Sequence, residues 1–118
     1  MHVRKIAVLI GLMISLSSFQ SSIKMLPTSL KVTVLDEIGN PAEGVEVTLY
    51  LTKEDYKAEI NPLETKITDE DGKVIFKKLK TIPYYVHATS EDKDNIGSGV
   101  LTQELLEGRT NRVNTIIE

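Results

Sequence analysis

Two acidic turns carry the side chains in this sequence that are best suited to chemistry. Both are rich in carboxylate and amide oxygens, the hard ligands that calcium prefers. Their members are Asp69, Glu70 and Asp71 in the first turn and Glu91, Asp92, Asp94 and Asn95 in the second. Solvated turns of this kind also keep an exported protein soluble without binding anything. We therefore predict no dedicated cofactor; calcium is the one ion to consider, with candidate ligands Asp69, Asp71, Asp92 and Asp94.

The second turn begins like a calcium-binding loop of the EF-hand type. Asp92, Asp94 and Gly97 stand where that loop has two of its ligands and its glycine. Ile96, however, offers no oxygen at the next ligand position, and Gln103 stands where the bidentate glutamate is required. Only part of the motif is present, so we expect residues 90–99 to form a polar surface loop.

His87 is the one candidate for acid–base chemistry, because the other histidine lies in the first 22 residues. A catalytic histidine needs a nucleophile and an orienting carboxylate that converge on it, and the chain contains no cysteine. Without a second histidine at metal-ligand spacing, a zinc peptidase has no ligand set. A domain below ~100 residues also has little spare volume for an enclosed active site. We therefore predict no catalytic residues and no enzymatic activity.

Three tyrosines are candidates for a stacking surface that binds a sugar or a peptide. Tyr50 and Tyr85 fall on outward positions of predicted strands, whereas Tyr56 falls in a connecting segment. Two such rings, in a chain without tryptophan, make a small platform. Tyrosines on neighbouring strands commonly pack against each other, so cross-strand packing is the expected role and carbohydrate binding is the alternative.

The elements that would position these side chains are short strands. After residue 22, apolar and polar residues alternate in short runs bounded by Gly, Asn, Pro and Asp, and no stretch shows helical periodicity. The pattern predicts an all-β fold: a single seven-stranded Greek-key sandwich of the immunoglobulin-like or prealbumin-like kind. The candidate strands are residues 30–35, 45–51, 63–68, 74–76, 84–88, 100–106 and 112–118.

Two connections are predicted from local sequence. Residues 52–62 are polar and mixed in charge, and we expect a loop there rather than a helical turn. Residues 63–76 are expected to form a β-hairpin, with Gly72 at the turn position that needs a positive φ. The first strand of that hairpin would place three residues on one face, namely Leu63, Thr65 and Ile67.

Residues 1–22 have the pattern of a cleaved secretory signal peptide. Arg4 and Lys5 begin it, residues 6–16 form an apolar core, and small or polar residues follow. The core is shorter than the ~20 apolar residues that span a bilayer, so no stable membrane span would remain after cleavage. Residues 23–118 would then form one exported domain, periplasmic or extracellular. Its net charge of about −5 argues against nucleic acid as a partner, because that binding requires basic residues at phosphates.

Three segments of the predicted domain resemble the carboxypeptidase regulatory-like family. Residues 34–49, VLDEIGNPAEGVEVTL, are similar to its opening motif, and residues 68–76, TDEDGKVIF, are similar to its hairpin motif. Residues 79–88 are similar to its tyrosine-containing strand, in which Tyr84 can bury its ring and bond its hydroxyl to nearby backbone. The family usually has a glycine two residues before that tyrosine, where this chain has Ile82.

The resemblance implies a prealbumin-like sandwich with a structural or protein-binding accessory role. Such domains stand beside peptidase, transporter or glycan-handling modules of exported proteins and aid folding, docking or surface binding. The partner would be an unknown protein or a surface glycan. The last predicted strand, residues 112–118, is a candidate edge at which a protein partner adds a strand. The alternative function is a calcium- or carbohydrate-binding adhesion-type domain.

Overall fold

Seven strands form two β-sheets in the computed structural model, which describes residues 26–118. They are β1 (Ser29–Leu35), β2 (Glu46–Tyr50), β3 (Glu64–Ile67), β4 (Lys73–Phe76), β5 (Tyr85–Ser90), β6 (Lys93–Asp94) and β7 (Thr110–Ile116). Sheet I has the order β4-β1-β7, and sheet II has the order β3-β2-β5-β6. All pairs are antiparallel except β1 with β7. The predicted all-β, seven-stranded sandwich is confirmed.

The predicted signal peptide, residues 1–22, lies outside the described residues. The boundary between it and the domain therefore stays a prediction. Within residues 26–118, no helix combines the length and the apolar character that crossing a membrane requires.

The core lies between the two sheets and follows the predicted alternation. In β1, Leu30, Val32 and Val34 are fully buried, whereas the side chains between them are half-buried on the outer face. Sheet II and its flanks supply the facing layer, which includes Val45, Val47, Leu49, Val86 and Ala88. Because each fully buried valine or leucine contributes ~1.5–3 kcal/mol, this layer fixes the face that every strand turns inward.

Tyr84, the residue before β5, closes the core. Its side chain is 1% exposed. The hydroxyl accepts a hydrogen bond from Lys80 N at 2.8 Å and donates one to Lys80 O at 3.3 Å. A buried hydroxyl without partners would cost ~1–3 kcal/mol, so these two bonds allow a phenol to fill the core. The prediction made for this tyrosine is confirmed, although Ile82 replaces the expected glycine.

Residues 63–76 do not form a hairpin, so that prediction is wrong. β3 pairs with β2 in sheet II, whereas β4 pairs with β1 in sheet I. The turn between them crosses from one sheet to the other. Gly44 N donates to Thr68 O at 3.1 Å on one side, and Val34 N donates to Gly72 O at 2.7 Å on the other. Gly72 does adopt a positive φ of 72°, so the sequence predicted the bend but not the strands that it joins.

β3 turns charged side chains toward the inner face of the sandwich. Lys66 lies directly opposite Val47, and Glu64 lies opposite Leu49. Side chains directly opposite each other share one face of a sheet, and both partners on β2 are 0% exposed in the core. The other face carries Ile67, which is 64% exposed. The predicted face of Leu63, Thr65 and Ile67 therefore points away from the core.

A helix, α1 (Lys53–Ala58), replaces the loop expected at residues 52–62, so that prediction is wrong as well. The Thr52 Oγ1 caps it by accepting a hydrogen bond from Asp55 N at 3.1 Å. Glu54 and Asp55 in the first turn and Lys57 in the last complement the helix dipole. The cap and charges outweigh the weak apolar periodicity, and the helix carries Tyr56 over the outer face of sheet II.

The sixth strand lies in a different place from the predicted one, which was residues 100–106. β6 and a 3₁₀ turn (Ile96–Ser98) occupy the stretch predicted as a polar loop. Residues 100–106 form no strand and make a single β-bridge, between Leu101 and Tyr85. Among the strands of residues 26–118, β1 alone pairs with β7.

Candidate binding surfaces

In both acidic turns, a carboxylate oxygen already accepts a hydrogen bond from nearby backbone. Asp69 Oδ1 accepts a hydrogen bond from Asp71 N at 2.9 Å, and Asp94 Oδ1 accepts one from Ile96 N at 3.0 Å. Asp71 and Asp92 are exposed, and they lie in separate turns. Across residues 26–118, no group of three or more His, Asp or Glu side chains is placed to hold a metal ion. Calcium binding by Asp69, Asp71, Asp92 or Asp94 stays a prediction.

Asn95, counted with the second acidic turn in the sequence, is fully buried and holds strands together. Its Oδ1 accepts a hydrogen bond from Ala88 N at 3.0 Å, and its Nδ2 donates to Val86 O at 2.9 Å. The same Nδ2 lies 3.1 Å from Thr115 Oγ1 on β7. One side-chain amide therefore takes the place of a neighbouring strand beside β5 and links the two sheets.

The rest of this edge of β5 is covered in the same way. Tyr84 N donates to Thr102 Oγ1, and Thr102 N donates to Tyr84 O, both at 2.9 Å. Val86 N donates to Val100 O, and β6 pairs with the far end of the strand. The segment from β6 to Thr102 therefore occupies the backbone groups through which β5 would otherwise accept another strand.

Four aromatic rings gather on the outer face of sheet II, beneath α1. Tyr56 stacks on Tyr85 with 5.7 Å between ring centroids and meets Tyr50 edge-on at 6.0 Å. His87 meets Tyr56 edge-on at 5.9 Å, and its Nδ1 lies 3.8 Å from Glu59 Oε1. The cluster differs from the predicted platform, because α1 adds Tyr56 to it and leaves Tyr50 only 5% exposed.

Burial and nearby carboxylates raise the pKa of two phenols in this cluster, Tyr50 and Tyr56. Burial, followed by the charge of Glu59, raises the pKa of Tyr50 above its usual value of 10.0. Burial also raises the pKa of Tyr56, and Asp94, Glu59 and Tyr50 add to the effect. A groove of about 500 Å³ runs past Tyr56, His87 and Asp94. The arrangement offers ring faces for stacking, and its contacts supply His87 with a carboxylate but no nucleophile.

The outer edge of β7 presents backbone groups that have no strand of residues 26–118 beside them. Ser29 N donates to Arg109 O at 3.1 Å, and Ile117 N donates to Leu35 O at 2.9 Å. In a parallel pair, alternate residues of one strand hydrogen-bond to the same neighbouring strand. The backbone N–H and C=O groups of the odd-numbered residues of β7 therefore point toward β1, and those of the even-numbered residues point away from it. Ser98 Oγ bonds both Ile116 N and Ile116 O at 2.9 Å. Within residues 26–118, the backbone groups of three even-numbered residues have no hydrogen-bond partner: Thr110, Arg112 and Asn114.

A groove of about 710 Å³ lies beside this unpaired edge, between β7 and residues 101–106. Its walls include Val113 and the side chains of Leu101 and Leu106, which are 54% and 57% exposed. The side chain of Asn111 fixes the far wall, because its Oδ1 accepts from Leu106 N at 2.8 Å and its Nδ2 donates to Leu106 O at 3.1 Å. The groove therefore has a fixed shape, a lining in which leucine and valine side chains mix with polar and charged ones, and an open sheet edge.

The edge formed by β3 is built differently. Lys66 points its side chain to the inner face of that strand, and its Nζ donates a hydrogen bond to Ile75 O on β4 at 2.7 Å. The same Nζ lies 5.8 Å from the centroid of the Phe76 ring. A charged side chain that points inward from an edge strand discourages pairing with another strand, because the added strand would bury the charge. β7 has no such charge, since its inward residues are Asn111, Val113 and Thr115.

Comparison with known proteins supports the fold and does not extend beyond it. No family model matches the sequence, and no curated protein matches it. The chain is similar to a streptococcal ancillary pilin, with a TM-score of 0.58 and 16% identity over 80% of this chain and 33% of that one. It is also similar to the major pilin SpaD from Corynebacterium diphtheriae, with a TM-score of 0.52 and 14% identity over 81% of this chain and 31% of that one. The chain thus spans about a third of these pilins, and it shares their β-sandwich fold. Membership of the carboxypeptidase regulatory-like family stays a prediction.

Proposed function

We propose that this chain is an exported, non-catalytic β-sandwich module that binds a protein partner by strand addition at β7. One observation carries the proposal: within residues 26–118, Thr110, Arg112 and Asn114 of β7 leave their backbone N–H and C=O groups unpaired, beside a groove that is partly lined by leucine and valine. An extended segment of a partner would pair with those groups. Strand addition draws its affinity from main-chain hydrogen bonds and its specificity from the side chains that alternate between the two faces.

The other edges of the sandwich support β7 as the docking position. The outer edge of β5 is covered by the segment from β6 to Thr102. The edge of β3 carries the inward-pointing Lys66, and Lys73 of β4 exchanges backbone bonds with the Asp69 turn. Among the strands described, β7 is the edge that has neither a cover nor an inward charge.

A structural or binding role also fits the surroundings of the only histidine in the described part of the chain. His87 contacts Glu59 and Tyr56, and a histidine with a carboxylate alone lacks the nucleophile that covalent catalysis requires. The pattern of residues 1–22 supports export to the periplasm or the cell exterior. An accessory domain that holds or docks another exported protein agrees with both features.

A photocrosslinking experiment in the native host tests this function. Arg112→p-benzoylphenylalanine places a crosslinker on the outward side of β7, and Thr65→p-benzoylphenylalanine places the same group on the β3 edge as a matched control. We expect one protein partner to crosslink from position 112 and not from position 65. Equal yields from both positions, or no product from position 112, would show that β7 is not the docking edge.

A proline substitution then tests whether backbone pairing is involved. Arg112→Pro removes an N–H that points away from β1, so the pairing of β7 inside sheet I is kept. We expect it to abolish capture of the crosslinked partner. Thr65→Pro makes the equivalent change at β3 and is expected to leave capture intact. Retention of the partner by Arg112→Pro would mean that side chains alone bind it.

Glycan binding is the second candidate, and the stacked rings of Tyr56 and Tyr85 support it. An aromatic face beside carboxylates and a histidine can hold a sugar ring by stacking and hydrogen bonds. Tyrosine fluorescence reports on this site because the chain contains no tryptophan. Titration with surface oligosaccharides of the host should change that fluorescence in the native chain and not in Tyr56→Ala. An unchanged signal in the native chain would rule out this candidate.

A further inference from the structure

We infer that the β7 groove takes a segment in which apolar residues alternate with acidic ones. This inference rests on the proposed function, since it names the chemistry of the strand that would be added at β7. The apolar side chains would enter the groove between the sheets. The acidic side chains would lie on the outer face of sheet I, next to Arg112.

The inner half of this pattern follows from the lining of the groove. A strand added beside β7 directs alternate side chains to the inner face, where Val113 is half-buried and Leu105 is 5% exposed. Leu101 and Leu106 form the opposite wall with more than half of each side chain exposed. Covering these four side chains removes apolar surface from water, at ~25 cal/mol per Å², so alternate apolar residues fit this face.

The outer half of the pattern follows from an unbalanced charge on sheet I. Its three strands carry the basic residues Lys31, Lys73 and Arg112 and no acidic residue. The chain as a whole is acidic, with 17 acidic and 14 basic residues. The cationic character of sheet I is therefore a local feature, opposite in sign to the rest of the molecule.

Lys31 and Arg112 make this imbalance sharpest at the docking edge. They lie directly opposite each other in the register of β1 and β7, and like charges in that arrangement are destabilising. Neither forms a salt bridge with a carboxylate of residues 26–118. A carboxylate on the added strand, next to Arg112, would complete a row in which the two cations are neutralised.

Two further charged residues belong to the groove itself. Arg109 lines it together with Arg112, and Glu104 lines it on the opposite wall. The two guanidinium groups outnumber the one carboxylate, so the groove attracts an acidic segment on balance. Opposite-charge pairs across strands contribute a few tenths of a kcal/mol to about 1 kcal/mol each, which makes charge a determinant of selectivity rather than of affinity alone.

A peptide titration tests the inference on the protein purified after export. The probes are two soluble heptapeptides with glycine ends, one alternating valine with glutamate and the other alternating valine with lysine. Amide chemical shifts of Thr110, Arg112 and Asn114 in ¹H–¹⁵N spectra report on binding. We expect the glutamate peptide to shift these amides and to bind at least tenfold more tightly than the lysine peptide at low salt. The preference should shrink at physiological ionic strength, where the screening length is ~8 Å.

Two charge reversals identify the residue responsible. Arg112→Glu should reverse the preference so that the lysine peptide binds more tightly. Lys73→Glu makes the same charge change on β4, at the far side of sheet I, and should leave the glutamate peptide preferred. Equal binding of both peptides, or a preference that survives Arg112→Glu, would overturn the inference. So would the absence of any shift at the three amides.

These outcomes separate the inference from the function on which it rests. A partner that crosslinks from position 112, combined with peptides that bind without charge preference, keeps strand addition and removes the acidic pattern. Failure to crosslink from position 112 removes strand addition itself, whatever the peptides do.

Discussion

The two edge strands β3 and β7 each carry one cation near their centre, and they use it in opposite ways. Lys66 of β3 lies opposite the buried Val47 and turns inward, where its Nζ bonds to Ile75 O. Arg112 of β7 lies opposite Lys31 and is exposed on the outer face. The inward Lys66 opposes pairing of β3 with another strand. The outward Arg112 leaves the edge of β7 open and places a positive charge beside it.

The difference teaches that the register of an edge strand decides what a cation on it does. A shift of one residue in the pairing register exchanges the inner and outer faces of a strand. The same lysine or arginine therefore either prevents another strand from pairing with the edge or attracts an acidic one to it. In this molecule the protected edge also has Glu64 facing inward, while the inward residues of β7 are uncharged. Three substitutions and a calcium titration test this comparison, beginning with the substitution that should lower the stability most.

The largest effect is expected from Asn95→Ala, on the β7 side of the sandwich. The change removes three hydrogen bonds of a 0% exposed side chain and leaves Ala88 N and Val86 O buried without partners. Unpaired buried groups cost ~1–3 kcal/mol each, so we expect the free energy of unfolding to fall by about 3 kcal/mol. Urea denaturation followed by circular dichroism measures it.

Asn114→Ala is the matched control for that loss. It makes the same substitution at an exposed position of β7 whose side chain makes no described hydrogen bond, and it should change the stability by less than about 0.5 kcal/mol. Similar losses in the two variants would mean that Asn95 does not act as the substitute strand that covers β5.

The second change gives β7 the protection that β3 has. Val113→Lys places a cation on the inner face of β7, which an added strand would bury. We expect the crosslink from position 112 to disappear, with a loss of about 1 kcal/mol in stability because Val113 is half-buried and the lysine stem can still cover apolar surface. Crosslinking yield and urea denaturation are measured on the same preparation.

Asn114→Lys controls for the added charge, because it places a lysine on the outer face of the same strand. The partner should still crosslink to this variant. Loss of the crosslink in both variants would show that extra positive charge, rather than its inward direction, interferes with docking.

The third change removes protection from β3. Lys66→Val leaves the edge of β3 with an apolar inner residue, and we expect the purified chain to self-associate in a concentration-dependent way. The stability of the monomer should fall by less than about 1 kcal/mol, because the higher strand propensity of valine offsets part of the lost hydrogen bond to Ile75 O. Sedimentation velocity over a dilution series measures the association.

Lys31→Val provides the comparison, because it removes a lysine from the outer face of a central strand. It should remain monomeric over the same dilution series. If Lys66→Val also stays monomeric, the inward lysine is not what keeps this edge unpaired.

The sequence predicted the strands whose alternation is strong and missed features that depend on distant contacts. Period-two patterns placed Leu30, Val32 and Val34 in the core, and the motif around Tyr84 predicted its buried ring. The phase of β3 was missed, because its apolar residues alternate on the face that its register with β2 exposes. Local alternation therefore predicts that a strand exists more reliably than the face it buries.

The candidate docking edge was predicted in part. Residues 112–118 were expected to form an edge strand, and β7 is one. The groove beside it was not expected, because one of its walls is formed by residues 101–106, which were predicted to form a strand. Asn95 could not be assigned from sequence either, because its partners Val86, Ala88 and Thr115 come from two separate strands. Thr52 is a helix-capping residue that could have predicted α1. The polar composition of residues 52–62 favoured a loop instead.

The smallest effect is expected from calcium, which compares the acidic turn after β3 with the acidic turn after β5. Asp69 and Asp94 each already accept a backbone hydrogen bond, and no metal-holding group of three acidic or histidine side chains is found in residues 26–118. Millimolar calcium should therefore raise the melting temperature by less than about 1 °C, because a ligand stabilises only in proportion to the sites that it fills. Since 1 kcal/mol corresponds to ~4–8 °C in a domain of this size, a rise of several degrees would mean real occupancy and would favour the adhesion-type alternative. Asp71→Asn and Asp92→Asn would then locate the bound calcium.

Loss of the calcium-induced shift in Asp71→Asn would place the ion beside β3. Loss of the shift in Asp92→Asn would place the ion at the turn that covers β5, where calcium would strengthen the covered edge rather than the open one.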